Sequence, residues 1–142
     1  MISIKKLPYC FLVVMISVII FSCNNKIYKK KDLIGEWEGN DNGNTMKIIF
    51  GDGPKLKVEY LSMDSVNSFI ITGNYDINFS KYPILFSIKK INELNDDLFS
   101  IIKFKNYNII EISKFSKRWR LRPVSFERGN YISLNRVTNN FH

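Results

Sequence analysis

The chain has 142 residues, of which 45% are hydrophobic and 24% charged, with a formal net charge of +8. This length supports one domain with a single core. The sequence contains neither Ala nor Gln, two Cys, and a single His at position 142. Most metal sites and His-based acid–base mechanisms therefore lack the residues they need, and we expect a non-enzymatic protein without metal or cofactor. Abundant Ile, Asn, Lys, Phe and Tyr favour strands over helices.

The first segment has the layout of a targeting signal. Lys5 and Lys6 precede an apolar run of 12 residues, 10–21. A helix needs about 20 apolar residues to span a bilayer, so this shorter run is typical of a signal peptide. We predict a signal peptide over residues 1–22.

The end of that run, Ile20-Phe-Ser-Cys23, places a small residue directly before a cysteine. This pattern resembles the lipobox of bacterial lipoproteins, in the looser form found in Bacteroidota, with Ile where Leu is commonest. The resemblance implies cleavage before Cys23 and acylation of its sulfur, and two or more acyl chains anchor a protein stably. The alternative is an ordinary secretory signal with a cysteine near the cleavage site by chance. On the lipoprotein interpretation the mature chain has no free thiol and no disulfide, because Cys10 leaves with the signal.

Residues 23–32 are predicted to be a basic tether beside the lipid. The segment Lys26-Ile-Tyr-Lys-Lys-Lys31 is either a solvated spacer or a contact for anionic lipid headgroups. No acidic run follows Cys23, and in Bacteroidota such a run resembles a surface-export signal. We therefore expect a location in the cell envelope, on the periplasmic face of the outer membrane.

The remainder, residues 33–142, shows period-2 alternation of apolar residues between polar turns. The clearest case is 69–79, where alternate residues from Phe69 to Phe79 are mostly apolar and the others mostly polar. Eight or nine consecutive strands with short connections predict an all-β domain, either an antiparallel up-and-down barrel or a sandwich. The predicted strands are 33–39, 46–50, 55–60, 69–79, 84–90, 98–105, 107–112, 118–126 and 131–137.

Several short motifs occur in the order found in small bacterial lipocalin-like proteins. They are Leu33-Ile-Gly-Glu-Trp37, Gly73-Asn-Tyr-Asp-Ile77, Pro83-Ile-Leu-Phe-Ser-Ile88, Arg122-Pro-Val-Ser-Phe126 and Leu134-Asn-Arg136. The resemblance implies a lipocalin-like barrel over residues 33–142. It also implies that Trp37 packs near the closed end of the barrel, beneath a late arginine, for which Arg122 and Arg136 are the candidates.

Two functions remain open at this point. The barrel is expected to hold a small apolar molecule or lipid, or else to be filled by its own side chains and to act on an envelope protein through its loops or basic face. The candidate lining residues are Tyr60, Phe69, Ile71, Tyr75, Ile77, Phe86 and Phe104.

The basic and aromatic tract 114–122 would suggest nucleic acid in a cytoplasmic protein, but export makes that partner improbable. We interpret the tract as a solvated basic strand face. The functional alternative is contact with anionic lipid, glycan or a partner protein.

Overall fold

The computed structural model describes residues 27–41, 43–63 and 68–138. Within them the chain forms an all-β, closed barrel of eight antiparallel strands, which confirms the predicted fold class. The strands are β1 Gly35–Asp41, β2 Asn44–Phe50, β3 Lys55–Leu61, β4 Phe69–Asn78, β5 Ile84–Lys89, β6 Leu98–Asn106, β7 Ile109–Ser113 and β8 Tyr131–Arg136.

Each strand pairs with the next in chain order, and β1 pairs with β8 to close the barrel. This closing seam is short, because its register contains two residue pairs, Trp37 with Arg136 and Glu38 with Asn135. Gly39 allows the close approach: a Cβ atom there would lie 2.1 Å from the carbonyl oxygen of Ser133. Closure leaves neither β1 nor β8 as an exposed edge.

Alternate residues of the strands fill the barrel, as the period-2 pattern predicts. The largest fully buried side chains include Trp37, Phe50 and Phe86, each at most 1% exposed. Partly buried residues, among them Tyr28, Met46 and Phe115, pack against this core. The interior is therefore a continuous hydrophobic core.

The predicted strand over residues 118–126 is wrong. This stretch belongs to the 17-residue connection between β7 and β8, residues 114–130, which we call the strap. The strap contains a 3-10 turn at Trp119–Leu121, in which Leu121 N–H donates to the Arg118 carbonyl at 3.0 Å. Local bonds of this kind replace a strand ladder, and Pro123 has no N–H to offer one. The alternation of basic and apolar residues there does not reflect a strand.

The two ends of the barrel differ. The chain enters β1 at one end, which we call the closed end, and a second 3-10 turn, Lys30–Asp32, lies there. The β1–β2 and β3–β4 connections and the strap leave from the opposite, open end. Across the described ranges, no helix is long and apolar enough to cross a membrane.

Candidate functional site

Most of the residues predicted to line a cavity belong to the packed core. Ile71, Tyr75, Phe86 and Phe104 are buried, and Ile77 packs against them. The ring of Phe86 lies 5.8 Å from that of Phe50 and 5.7 Å from that of Phe115, measured between centroids. The rings of Phe50, Phe86 and Phe115 therefore pack together in the core. Phe104 also borders a groove of about 640 Å³ at the closed end, beside Tyr28.

Tyr75 is held by both its ring and its hydroxyl. The ring packs edge-on against Phe50 at 5.2 Å, and the hydroxyl donates a hydrogen bond to the Gly51 carbonyl at 3.1 Å. Burial raises the pKa of the Tyr75 phenol above its ordinary value, and the charge of Asp52 raises it further. The phenol is therefore a neutral structural donor at physiological pH.

The open end holds the remaining two candidates. The rings of Tyr60 and Phe69 stack at 5.1 Å, and Phe69 is 45% exposed. Beside Tyr60 the barrel mouth has a cavity of about 190 Å³. Sites for drug-sized ligands typically span roughly 300–1,000 Å³, so this cavity is small. Its lining comprises Asp41, Met46, Tyr60, Ile112, Ser113, Lys114, Phe115, Tyr131 and Ile132.

Trp37 and Arg136 lie together at the closed end. The Arg136 guanidinium lies 4.2 Å from the centre of the Trp37 ring, a cation–π distance. It donates to the carbonyls of Ile34 at 2.8 Å, Tyr107 at 3.1 Å and Asp32. Burial lowers the pKa of Arg136, and the charge of Asp32 opposes that effect. The guanidinium thereby ties the start of β1 to the end of β8.

Arg122, the other candidate for that position, lies elsewhere. It belongs to the strap, where its guanidinium donates to the Ser87 hydroxyl at 2.8 Å and lies 5.2 Å from the Phe99 ring. Ser87 and Phe99 pair with each other across β5 and β6, on the outer face of the barrel. Burial lowers the pKa of Arg122, while the charge of Asp76 raises it. Arg122 therefore fastens the strap to the outside of the barrel.

The backbone of the strap is fastened as well. Ser116 and Phe99 exchange two backbone hydrogen bonds, each of 2.8 Å. At the far end of the strap, the Phe126 ring packs edge-on against Tyr131 at 6.0 Å, with Lys103 Nζ 5.8 Å from it. Side-chain and backbone contacts thus hold the strap against β5 and β6.

The outward side of the strap exposes large apolar side chains beside cations. Trp119 is 66% exposed, Leu121 65% and Val124 81%. The Arg120 guanidinium lies 5.4 Å from the Trp119 ring. Large exposed apolar patches with polar surroundings mark interaction sites on soluble domains. We call Lys117, Arg118, Trp119, Arg120, Leu121 and Val124 the strap surface.

Several acidic residues in the described part of the chain form ion pairs with lysines. Glu111, 5% exposed, lies 3.4 Å from Lys105 and 3.8 Å from Lys103. Asp96 lies 3.4 Å from Lys117 of the strap. Over residues 27–41, 43–63 and 68–138, no group of three or more His, Cys, Asp or Glu is placed to hold a metal ion.

Comparison with protein-family models, with curated proteins and with solved structures found no match. The lipocalin-like resemblance therefore rests on its short motifs. The predicted signal peptide and the predicted acylation site, Cys23, lie outside the described residues.

Reasoning from the sequence missed the outer-face packing. Ile101 occupies a position of β6 that faces outward, paired with Leu85 of β5, and yet it is fully buried. The sequence contained a sign of this packing. In Leu98-Phe-Ser-Ile-Ile102, both the inward-facing and the outward-facing positions are apolar, apart from Ser100. A continuous apolar run of this length is typical of a strand covered on both faces.

Proposed function

We propose that the protein is an exported lipoprotein, anchored through Cys23 in the cell envelope, that acts without catalysis through the outer surface of a filled barrel. The observation that carries this proposal is the packed interior. Trp37, Phe50 and Phe86 occupy the barrel with at most 1% exposure. Any partner must then be met on the outside.

The anchor is supported by the sequence and by the position of the tether. Tyr28 stacks on Phe104 at 4.2 Å and packs edge-on against Tyr107 at 5.2 Å. Part of the predicted tether thus contacts the closed end of the barrel. Three residues separate Cys23 from Ile27, so the chain from Cys23 to Ile27 advances by four residues and spans at most about 14 Å. An acyl group on Cys23 would hold the closed end close to the membrane, as expected for the periplasmic face of the outer membrane.

A small apolar ligand at the open end is the second candidate. The cavity of about 190 Å³ beside Tyr60 favours it, because an apolar cavity of about 150 Å³ can hold benzene. We rank it second, since six of the seven predicted lining residues do not border that cavity.

The anchor is tested by replacing Cys23 with Ala. We expect loss of labelling by a palmitate analogue and release of the protein from the membrane fraction. Cys10→Ala is the matched control and should label normally, because Cys10 lies inside the signal peptide. Continued labelling of the Cys23→Ala variant would contradict the anchor.

The filled barrel is tested by native mass spectrometry of the purified acylated protein. We expect the mass of the protein and its acyl chains alone. A recurring bound molecule that Tyr60→Trp displaces, while Leu61→Trp on the opposite face of β3 retains it, would favour the ligand-binding alternative.

A further inference from the structure

Positive charge is concentrated in two segments of the chain. Residues 114–130 contain six basic residues and one acid, a net charge of +5. Residues 26–32 contain four basic residues and one acid, a net charge of +3. The barrel sequence between them, 33–113, has eight basic and eleven acidic residues, a net charge of −3. The excess positive charge of this protein therefore lies on the tether and on the strap.

We propose that the strap surface docks on an anionic lipid bilayer, with Trp119 and Leu121 in the headgroup region and the strap cations on lipid phosphates. The inference rests on the proposed anchoring and names the partner of the outer surface. Trp is favoured at the membrane interface because one part of its ring system is apolar and its N–H is polar. Arg and Lys bind lipid phosphates by charge-assisted hydrogen bonds.

The composition of the strap surface favours a bilayer over a protein. Protein interfaces are enriched in Trp and Arg, but they place them around an apolar core from which charged residues are depleted. On the strap, each of Trp119 and Leu121 has an arginine on both sides in sequence, so apolar and cationic groups alternate. That mixture suits the boundary between headgroups and acyl chains, where both kinds of group find partners.

The fixed position of the strap favours docking further. Arg122 on Ser87 and the two backbone bonds between Ser116 and Phe99 hold the segment while its apolar side chains stay exposed. Little order is lost when such a preformed surface binds.

The tether and the strap also lie along the same side of the barrel. Lys103 of β6 lies 5.8 Å from the Phe126 ring of the strap. The same Lys103 borders a groove lined by Ile27 and Tyr28 of the tether and by Tyr82, which is 87% exposed. A bilayer along β5 and β6 would therefore meet the tether and the strap surface together.

The test is fluorescence quenching of the acylated full chain in vesicles that contain bromine-labelled phospholipids. Trp37 is buried and Trp119 exposed, so quenching from the acyl region reports on Trp119. We expect strong quenching in vesicles with 30% phosphatidylglycerol and weak quenching in pure phosphatidylcholine. Trp119→Phe should abolish the quenching. An unquenched wild-type protein in anionic vesicles would overturn the proposal.

A relocated reporter separates docking from anchoring. In the double variant Trp119→Phe/Met63→Trp, the exposed indole lies at the β3–β4 connection instead of on the strap, and it should be quenched much less than Trp119. Quenching equal to that of Trp119 would show orientation-independent contact and overturn the proposal. Flotation of the same vesicles reports anchoring separately: flotation without Trp119 quenching overturns strap docking alone, and failure to float overturns the anchor.

The electrostatic part is tested with charge-matched pairs. Each basic residue near an anionic surface contributes about five-fold to binding, so Arg118→Gln/Arg120→Gln should lower the docking equilibrium roughly 25-fold. Lys55→Gln/Lys57→Gln removes the same charge from β3, which lies outside the proposed contact along β5 and β6, and should change it far less. Equal losses for the two pairs would overturn the assignment to the strap. The proposal would also be overturned if Trp119 were not quenched and the strap cross-linked instead to an envelope protein.

Discussion

The β1–β8 seam makes a sharp prediction at Gly39. Ordinary van der Waals contact begins near 3.4 Å, whereas a Cβ at Gly39 would lie 2.1 Å from the Ser133 carbonyl and 2.8 Å from Leu134 Cδ2. The carbonyl is backbone, so the strands themselves must separate by about 1 Å at a seam of two residue pairs. We expect Gly39→Ala to destabilise the fold by about 3 kcal/mol, the upper part of the range for overpacking. At roughly 4 °C per kcal/mol for a domain of this size, Tm should fall by about 12 °C.

Two other glycines, with weaker expected clashes, provide comparisons for this prediction. A Cβ at Gly73 would lie 2.9 Å from the Lys89 carbonyl, whereas a Cβ at Gly53 has no atom within 4 Å. Thermal unfolding, followed by circular dichroism, should therefore give the lowest Tm for Gly39→Ala, a higher Tm for Gly73→Ala and the highest for Gly53→Ala. Gly53→Ala should match the wild type or exceed it slightly, because Ala restricts the unfolded chain. A wild-type Tm for Gly39→Ala would show that β1 and β8 do not approach as described.

Three further perturbations have distinct expected outcomes. Arg136→Met removes the donor to three carbonyls and the contact with Trp37, and it should cost about 2–4 kcal/mol in denaturant unfolding. Arg122→Gln should speed amide hydrogen exchange in the strap roughly ten-fold, with a small effect on global stability, because the strap loses its contact with Ser87. Glu93 accepts hydrogen bonds from the N–H and hydroxyl of Thr72, which hold its pKa below the ordinary 4.5. The ionised Glu93 carboxylate therefore stabilises the fold above the ordinary pKa, and this stabilisation is lost as pH falls through the lower pKa of the folded state. An NMR titration of the carboxyl group should show the lowered pKa.

Each of these perturbations has a matched control. Arg128→Met removes an exposed arginine and should leave stability unchanged, while Arg136→Lys should recover part of the loss, because Lys keeps the charge without the planar fork. Arg118→Gln changes the strap without touching the Arg122 contact and should leave exchange unaltered. Glu93→Gln should remove the pH-dependent component. A normal pKa for Glu93 would contradict its bond to Thr72.

The strand pattern was readable from the sequence because one barrel face is apolar and the other polar. In β4, Ile71 and Tyr75 are buried while Asp76 and Asn78 are exposed, and the Gly–Pro and Tyr–Pro turns mark strand boundaries. Residues 118–126 have the same period-2 signature and form no strand. Alternation of apolar and polar residues shows only that neighbouring side chains have different surroundings. A segment that lies across the outer face of a barrel can alternate in this way without pairing as a β-strand. Pro123 was the local warning.

The candidate site was less predictable, for a different reason. Parity identifies which residues point inward, but the space left between them depends on tilt, stagger and side-chain volume. Tyr75 and Phe86 were correctly placed inside, and only the three-dimensional packing shows that Phe50 and Phe115 fill the space beside them. The contact between Arg122 and Ser87 joins residues 35 positions apart, and no local pattern encodes it.

The length of the strap is itself an argument for a surface function. Antiparallel neighbours such as β7 and β8 can be joined by two to five residues, and β6 and β7 are joined by two. The strap has 17 residues, although a much shorter turn would be enough to pair Ser113 with Tyr131. Connections of that length in compact domains are usually functional. Closure of the barrel does not explain Trp119 or Leu121, which stay exposed. Residues that the fold does not need, held in place by contacts that the fold does supply, are best explained by a partner outside the barrel.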